Sequence, residues 1–232
     1  MDLELGSVDS STVKERVYRR LLDAIVSGKI PPGAPITITQ LAEKLGVSLM
    51  PVREALRKLE AEKFLSVQKN RRMMVKELST SDLVDLLEIR LNLESLAAKR
   101  AVRNVTQELV SDLEELLDQL KAANSPEAWF EKNWQFHHRL YRDANSPILK
   151  ETIENLWGRL SPYLHLYVSE IPNYTFSNRC HQGILEGVKE NDPRKVSRWL
   201  RSDLKSAAEL VVRFLAAHGG REEKNSESVA MI

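Results

Sequence analysis

Residues 38–60 read ITQLAEKLGVSLMPVREALRKLE. Between Thr39 and Leu45 the apolar residues Leu41, Ala42 and Leu45 fall at helical spacing, so a short helix lies with one side on a core. Gly46 stops it, in the place where helices end on a residue of positive φ. Val47 is apolar, and Ser48 is a good N-cap for a second helix. Pro51 falls close enough to that start to be tolerated, because first-turn amides have no intrahelical partner. Val52, Ala55, Leu56 and Leu59 then bury one face and turn Arg53, Arg57 and Lys58 outward. Two short helices joined by a tight turn, the second with outward arginines, meet the geometric requirement for entering a DNA major groove. Helix, glycine, helix also occurs in all-α proteins whose outward arginines are plain solvated surface. The flanking sequence has to separate the two readings.

Upstream, Ser11 or Thr12 can cap a helix running to about Ser27, with Val13, Val17, Leu21, Leu22 and Ile25 inward and Gly28 at its end. Ile30-Pro31-Pro32-Gly33-Ala34-Pro35 is a stiff turn. Downstream, residues 60–78 (EAEKFLSVQKNRRMMVKEL) read as a helix end followed by two short strands. Leu65 and Val67, then Met73 or Met74 with Val75, flank a polar tip of Lys69, Asn70, Arg71 and Arg72. Such a hairpin is either a wing, its tip against phosphate or in the minor groove, or a surface hairpin that happens to be basic.

Past Leu78 the chain is helical throughout. Ser79 or Thr80 caps a long helix carrying Leu83, Leu86, Leu87, Arg90, Leu91, Leu93, Glu94, Ala97 and Ala98. Thr106 starts a second, to Ala123, and Asn124-Ser125-Pro126 breaks it. A third spans residues 127–144, and a fourth restarts at Ser146-Pro147 and runs to about Val168. After the loop Ile171-Pro172-Asn173 a fifth covers about 176–190, and Asn191-Asp192-Pro193 separates it from a sixth ending near Ala217. The expected architecture is mostly α: an N-terminal winged helix-turn-helix domain over 12–78, then an all-helical antiparallel bundle over 79–217. Residues 1–11 read as a disordered tail and 218–232 as a flexible one.

The 232 residues, 42% hydrophobic and 29% charged, suffice for a sizeable core in one large or two modest domains. No apolar run of spanning length and no N-terminal signal core is visible, and Cys180 stands alone, so a cytoplasmic protein without membrane attachment or internal disulfide is expected. The net charge of +1 hides an asymmetry. Residues 1–78 hold 14 Lys+Arg against 10 Asp+Glu, a net of +4, and the remaining 20 against 23 give the rest a net of −3. A mildly basic front on an acidic body suits a DNA-binding head.

IPPGAPIT at 30–37, LAEKLGVSLMPVREALRKLEAEKFL at 41–65, FHHRLYRDANSPIL at 136–149 and HQGILEGVKENDPRKVSRWL at 181–200 together carry a resemblance. The chain resembles the GntR family of bacterial transcription regulators, in the FadR-type branch with an all-helical FCD effector domain and nearer its shorter, VanR-like form. The likeness spans roughly Val13 to Phe214. It implies a homodimer whose bodies pair and whose winged heads read the two halves of a palindromic double-stranded operator. Arg53 would be the principal base-reading or phosphate-clamping residue, since a planar guanidinium can bond guanine O6 and N7 together. Ser48 would bond phosphate or base through its hydroxyl and helix-terminal amides. Arg57, Asn70, Arg71 and Arg72 complete the expected contacts. Thr39 and Leu49 stand where the family commonly has arginine, and Lys63 and Arg72 where it commonly has glycine. The family's binding mode on an unusual operator, leaning on Arg71 and Arg72, is expected.

In the body, Asn133 and His137 are four apart on one helix and share a face. His181 is on a later helix and Asp203 on the last. The resemblance implies that these positions, commonly Asp, His, His and His, hold a divalent metal. Here asparagine takes the first and aspartate the fourth, so two imidazoles, one carboxylate and a weak amide oxygen could take zinc, nickel or manganese. The alternative for each histidine is a hydrogen-bonded core residue. Arg90 matches a recurring arginine that would hold a small anionic metabolite in its fork; the alternative is an ion pair with Glu94 or a neighbour. Trp134 and Trp199 could line the chamber, and otherwise the tryptophans are packing groups. His138 points about 100° from His137 and reads as surface.

The expected function is a sequence-specific transcriptional regulator, a repressor released by a small organic acid or related metabolite. A DNA-binding protein with a decayed effector site is the alternative. A metal-dependent enzyme is a weaker one, because no HExxH motif and no nucleophile–base pairing is visible.

Overall fold

The structure is a computed structural model that describes residues 12–68, 72–168 and 174–218, without the side chains of 166–168 and 214–218. Residues 1–11, the wing-tip residues Lys69, Asn70 and Arg71, the loop Ile171-Pro172-Asn173 and the tail from 219 lie outside the described residues.

Helix α1 (Val13–Val26) starts at Thr12, whose hydroxyl accepts from the Glu15 amide, and buries Val17, Leu21 and Ile25. Helix α2 (Ile38–Leu45) ends on Gly46 at φ 63°, and α3 (Leu49–Ala61) follows after two residues with Val52, Ala55, Leu56 and Leu59 buried. The spacing in residues 38–60 thus gives the same buried face as the fold. Ser48 occupies the N-cap position, but its hydroxyl makes no capping bond. Strands β2 (Leu65–Val67) and β3 (Met73–Val75) form the expected hairpin. A further strand, β1 (Pro35–Ile36), pairs antiparallel with β3, giving the sheet order β1-β3-β2. The stiff turn read at 30–35 therefore leads straight into a strand, too short for any alternation to betray it.

The body begins with α4 (Thr80–Ala101), opened by a reciprocal capping box between Ser79 and Asp82. One 3₁₀ turn, Val102–Asn104, leads to α5 (Gln107–Ala122), capped by Thr106, and α6 (Pro126–Arg142), capped by Ser125. Then come α7 (Pro147–Val168), α8 (Thr175–Lys189) and α9 (Pro193–His218). Leucines of α4 and α5 and the aromatic residues of α6 and α7 make one hydrophobic core; α1–α3 and the sheet make a second. Helices α8 and α9 pack closely because α8 presents glycine. A Cβ on Gly183 would lie 2.4 Å from the Trp199 ring, and one on Gly187 would lie 2.7 Å from Val196.

The head is seated on α7. The Phe64 ring lies so close to Gly158 that a Cβ there would come within 2.9 Å of it, with Val26 beside it. Gly28 faces the Pro162 carbonyl and His165, and the Tyr163 hydroxyl accepts a 2.6 Å hydrogen bond from the Leu78 amide at the joint between head and body.

Candidate functional site

Helices α6, α8 and α9 bring His137, His181 and Asp203 together in the buried interior of the body. The two Nε2 atoms are 3.1 Å apart, and Asp203 Oδ2 stands 3.1 Å from the first and 3.8 Å from the second. Four ligands at about 2.0–2.1 Å around tetrahedral zinc are themselves about 3.3–3.5 Å apart. The cluster therefore has the dimensions of three vertices of such a site. Asn133, four residues before His137 on α6, is almost fully buried, and its Oδ1 has no hydrogen-bond partner. It is an available fourth donor, so the set fits a divalent ion.

Protonation favours the same use. Burial, aided by repulsion from His137 and opposed by Asp203, pushes His181 down to about 4. Burial alone would raise Asp203, but His181, the His137 hydrogen bond and the Ser177 hydroxyl pull it down to about 2. At neutral pH the cluster thus presents a neutral imidazole and a carboxylate, the forms a cation needs. A buried chain of hydrogen-bonding groups stands behind His137. Burial and the Glu94 carboxylate raise Tyr141 far above the ordinary phenol range, so Tyr141 keeps its proton and donates it to Glu94. Its oxygen is then available to accept from His137 Nδ1–H, at 3.2 Å, in the tautomer that a cation at Nε2 would require. His181 Nδ1 has no such partner.

Beside the cluster is a cavity of about 100 Å³, lined among others by Arg90, Asn133, His137, Trp157 and Asp203. Arg90 makes the ion pair with Glu94. Its Nε donates to Glu94 at 2.6 Å, while Nη2, equally buried, has no partner. The guanidinium lies 4.8 Å from the Trp157 ring. The tryptophans of the lining are Trp129 and Trp157, and neither Trp134 nor Trp199 belongs to it. Trp134 packs on the outer side of Trp157, and the glycine seat on α8 takes up the Trp199 ring. His138 is part-exposed and bonds Glu154 at 2.6 Å, as its direction from His137 requires. Glu94, Tyr141 and Trp157 escaped the sequence reading as site residues. The first two were signalled, since each stands four residues from a residue already singled out.

On the head, Thr39, Ser48, Leu49, Arg53 and Arg57 are all exposed. Arg57 is 3.5 Å from Glu54, whereas Arg53 has no ion pair or hydrogen bond among the described residues. Met50 is 68% exposed beside Leu49, so the first turn of α3 ends in two bare apolar side chains that solvation alone does not favour. Arg72 is exposed at the start of the returning wing strand, where its carbonyl accepts from the Gln68 amide.

Residues 13–75 match the family described as bacterial regulatory proteins, gntR family, and residues 85–206 match the FCD domain. The chain is similar to the HTH-type transcriptional regulator McbR of Escherichia coli strain K12, 39% identical over 171 residues, which is 72% of this chain and 77% of McbR. It is also similar to the HTH-type transcriptional repressor RspR of the same strain, 26% identical over 214 residues, covering 91% and 94% of the two chains. Among solved structures, E. coli McbR/YncC superposes with a TM-score of 0.80 at 30% identity, over 88% of this chain and 99% of that one.

Proposed function

Because the chain belongs to the gntR family of bacterial regulatory proteins and carries an FCD domain, we propose that it is a dimeric repressor that leaves a palindromic operator when a small organic anion enters the body. Sequence-specific DNA binding is the activity of this type of regulator, and the similarity is to regulators rather than to enzymes. The observation that carries the ligand half is the unpartnered Arg90 Nη2, a buried charged donor beside a cluster fit for a cation. A decayed chamber would have closed over that donor.

In this reading residues 12–78 bind DNA and 79–217 bind the effector and the second subunit, in the manner of the shorter, VanR-like branch. Arg53 forks a guanine, Ser48 takes phosphate, and Arg57 with Asn70, Arg71 and Arg72 adds backbone contacts. Thr39 and Leu49 replace charge with a hydroxyl and an apolar surface, and Leu49 with Met50 suits a thymine methyl. Asn133, His137, His181 and Asp203 hold zinc, nickel or manganese, which supplies Lewis acidity toward a ligand oxygen.

The test starts with operator selection from genomic fragments, followed by fluorescence anisotropy on the selected duplex. Specific affinity at least about a thousandfold above that for random DNA is expected, with a drop of at least about tenfold when a suitable acid is added. Failure to enrich any sequence would remove the DNA half. A selected operator whose affinity no organic acid alters would remove the effector half.

A further inference from the structure

Three residues of the cavity wall each carry a buried polar atom without a hydrogen-bond partner: Arg90 Nη2, Trp157 Nε1 and Asn133 Oδ1. Two are donors, and they belong to side chains already stacked on each other at 4.8 Å. Buried donors left unpaired cost free energy, so a wall that keeps two of them together is shaped for an acceptor that arrives later. A carboxylate offers two oxygens to such a pair.

The rest of the wall limits what that carboxylate can be attached to. Arg90 is the one permanent cation among the described lining residues, and Glu94 answers its charge. Asp203 adds a negative charge, so a divalent ion in the cluster would leave the chamber with a single net positive charge. One carboxylate is balanced there, and a second or third would be buried unpaired. Beyond Ser177, which bonds Asp203, and Ser206, the remaining lining is mostly aromatic or aliphatic. Trp129 and Tyr174 are stacked at 4.3 Å with their planes 11° apart, and Phe130, Phe176 and Leu210 complete an aromatic and aliphatic wall. The open space of about 100 Å³ is of the same order as the roughly 150 Å³ apolar cavity that accepts benzene.

From these features we infer that the chamber selects an aromatic monocarboxylic acid, its carboxylate held between Arg90 Nη2 and Trp157 Nε1 and its ring against the Trp129–Tyr174 stack. Polar di- and tricarboxylates are excluded by charge and by the apolar wall. The inference rests on the regulator reading above and narrows its effector.

Isothermal titration calorimetry of the full chain dialysed against zinc tests it, with phenylacetate, malate and citrate as probes. Phenylacetate is expected to bind at least about tenfold tighter than either of the others. Trp157→Phe keeps the ring and removes the N–H, and should weaken phenylacetate about tenfold. Ala207→Phe, which fills the apolar side of the cavity, should abolish that binding, with zinc content and melting temperature checking that the variant is folded. Tighter binding of malate or citrate overturns the inference, and release of the operator by that acid would leave the regulator reading standing. Unchanged phenylacetate affinity in Trp157→Phe overturns the placement of the carboxylate. Binding of none of the three overturns the aromatic assignment, while operator affinity, measured separately, still judges the DNA half.

Discussion

Lys63 lies at φ 69°, a left-handed conformation that costs an L side chain on the order of 1 kcal/mol. The turn between α3 and β2 needs that backbone whichever residue supplies it. Lys63→Gly should therefore raise stability by about 0.5–1 kcal/mol, read as a shift of the urea midpoint without a change of slope. At the cluster, Tyr141→Phe removes the acceptor available to His137 Nδ1–H, and zinc affinity should fall by about 10–100-fold in competition with a chromophoric chelator. Cys180 is fully buried, and burial pushes its thiol up to about 12. Maleimide labelling at pH 7 should accordingly follow global unfolding, and rapid labelling of the native protein would contradict the burial. Much at this scale was legible. Asn133, His137, His181, Asp203 and Arg90 could be named because the family resemblance marked their positions, while helical spacing put Asn133 and His137 on one face. Which of four tryptophans faces the cavity could not, because that depends on the rotation of α6, α7 and α9 about their axes, which no local pattern fixes.

Helix α7 reads both halves of the molecule at neighbouring positions. Trp157 lines the chamber while Gly158 seats Phe64 of the head, and four residues on Pro162 has no amide to give the Gly158 carbonyl. The helix is thus missing a rung just where the head rests, so a shift of Trp157 has a soft place to be passed on. Gly158→Val fills the Phe64 seat and should cost about 1–3 kcal/mol of stability by overpacking. It should also blunt the effect of ligand on operator affinity while leaving zinc binding as in the parent; an undiminished response would show that the signal takes another route. Helices were legible at this scale through Thr12, Gly46, Ser79 and Thr106, whose side chains or backbone freedom act on their own turn. Strand β1 was not, because two residues beginning with proline owe their extended form to β3, a partner almost forty positions away.

Taken whole, the chain is a head and a body with separate cores, and the cluster fit for a metal belongs to the second. Saturating zinc should raise the melting temperature by about 5–10 °C at a hundredfold excess over its dissociation constant. Asp203→Asn should remove that gain, and an equal gain in the variant would place the ion elsewhere. The mild charge split between residues 1–78 and 79–232 was legible, but the seat of the head was not, since Gly158, Pro162 and Tyr163 carry no local mark of meeting residues about 85–135 positions away.

That seat has a consequence for the DNA itself. With Phe64 held in Gly158 and the Leu78 amide tied to Tyr163, each head turns with its body and not about a loose linker. In the proposed dimer, two heads so mounted would present their α3 helices at a fixed separation and on a fixed side of the duplex. One base pair added between half-sites rotates one of them by about 35° around the helix axis, and five turn it to the opposite face. A protein with tethered heads would follow the insertion; this one should lose affinity with a single added pair, lose two-headed binding with five, and recover part of it only after a full turn.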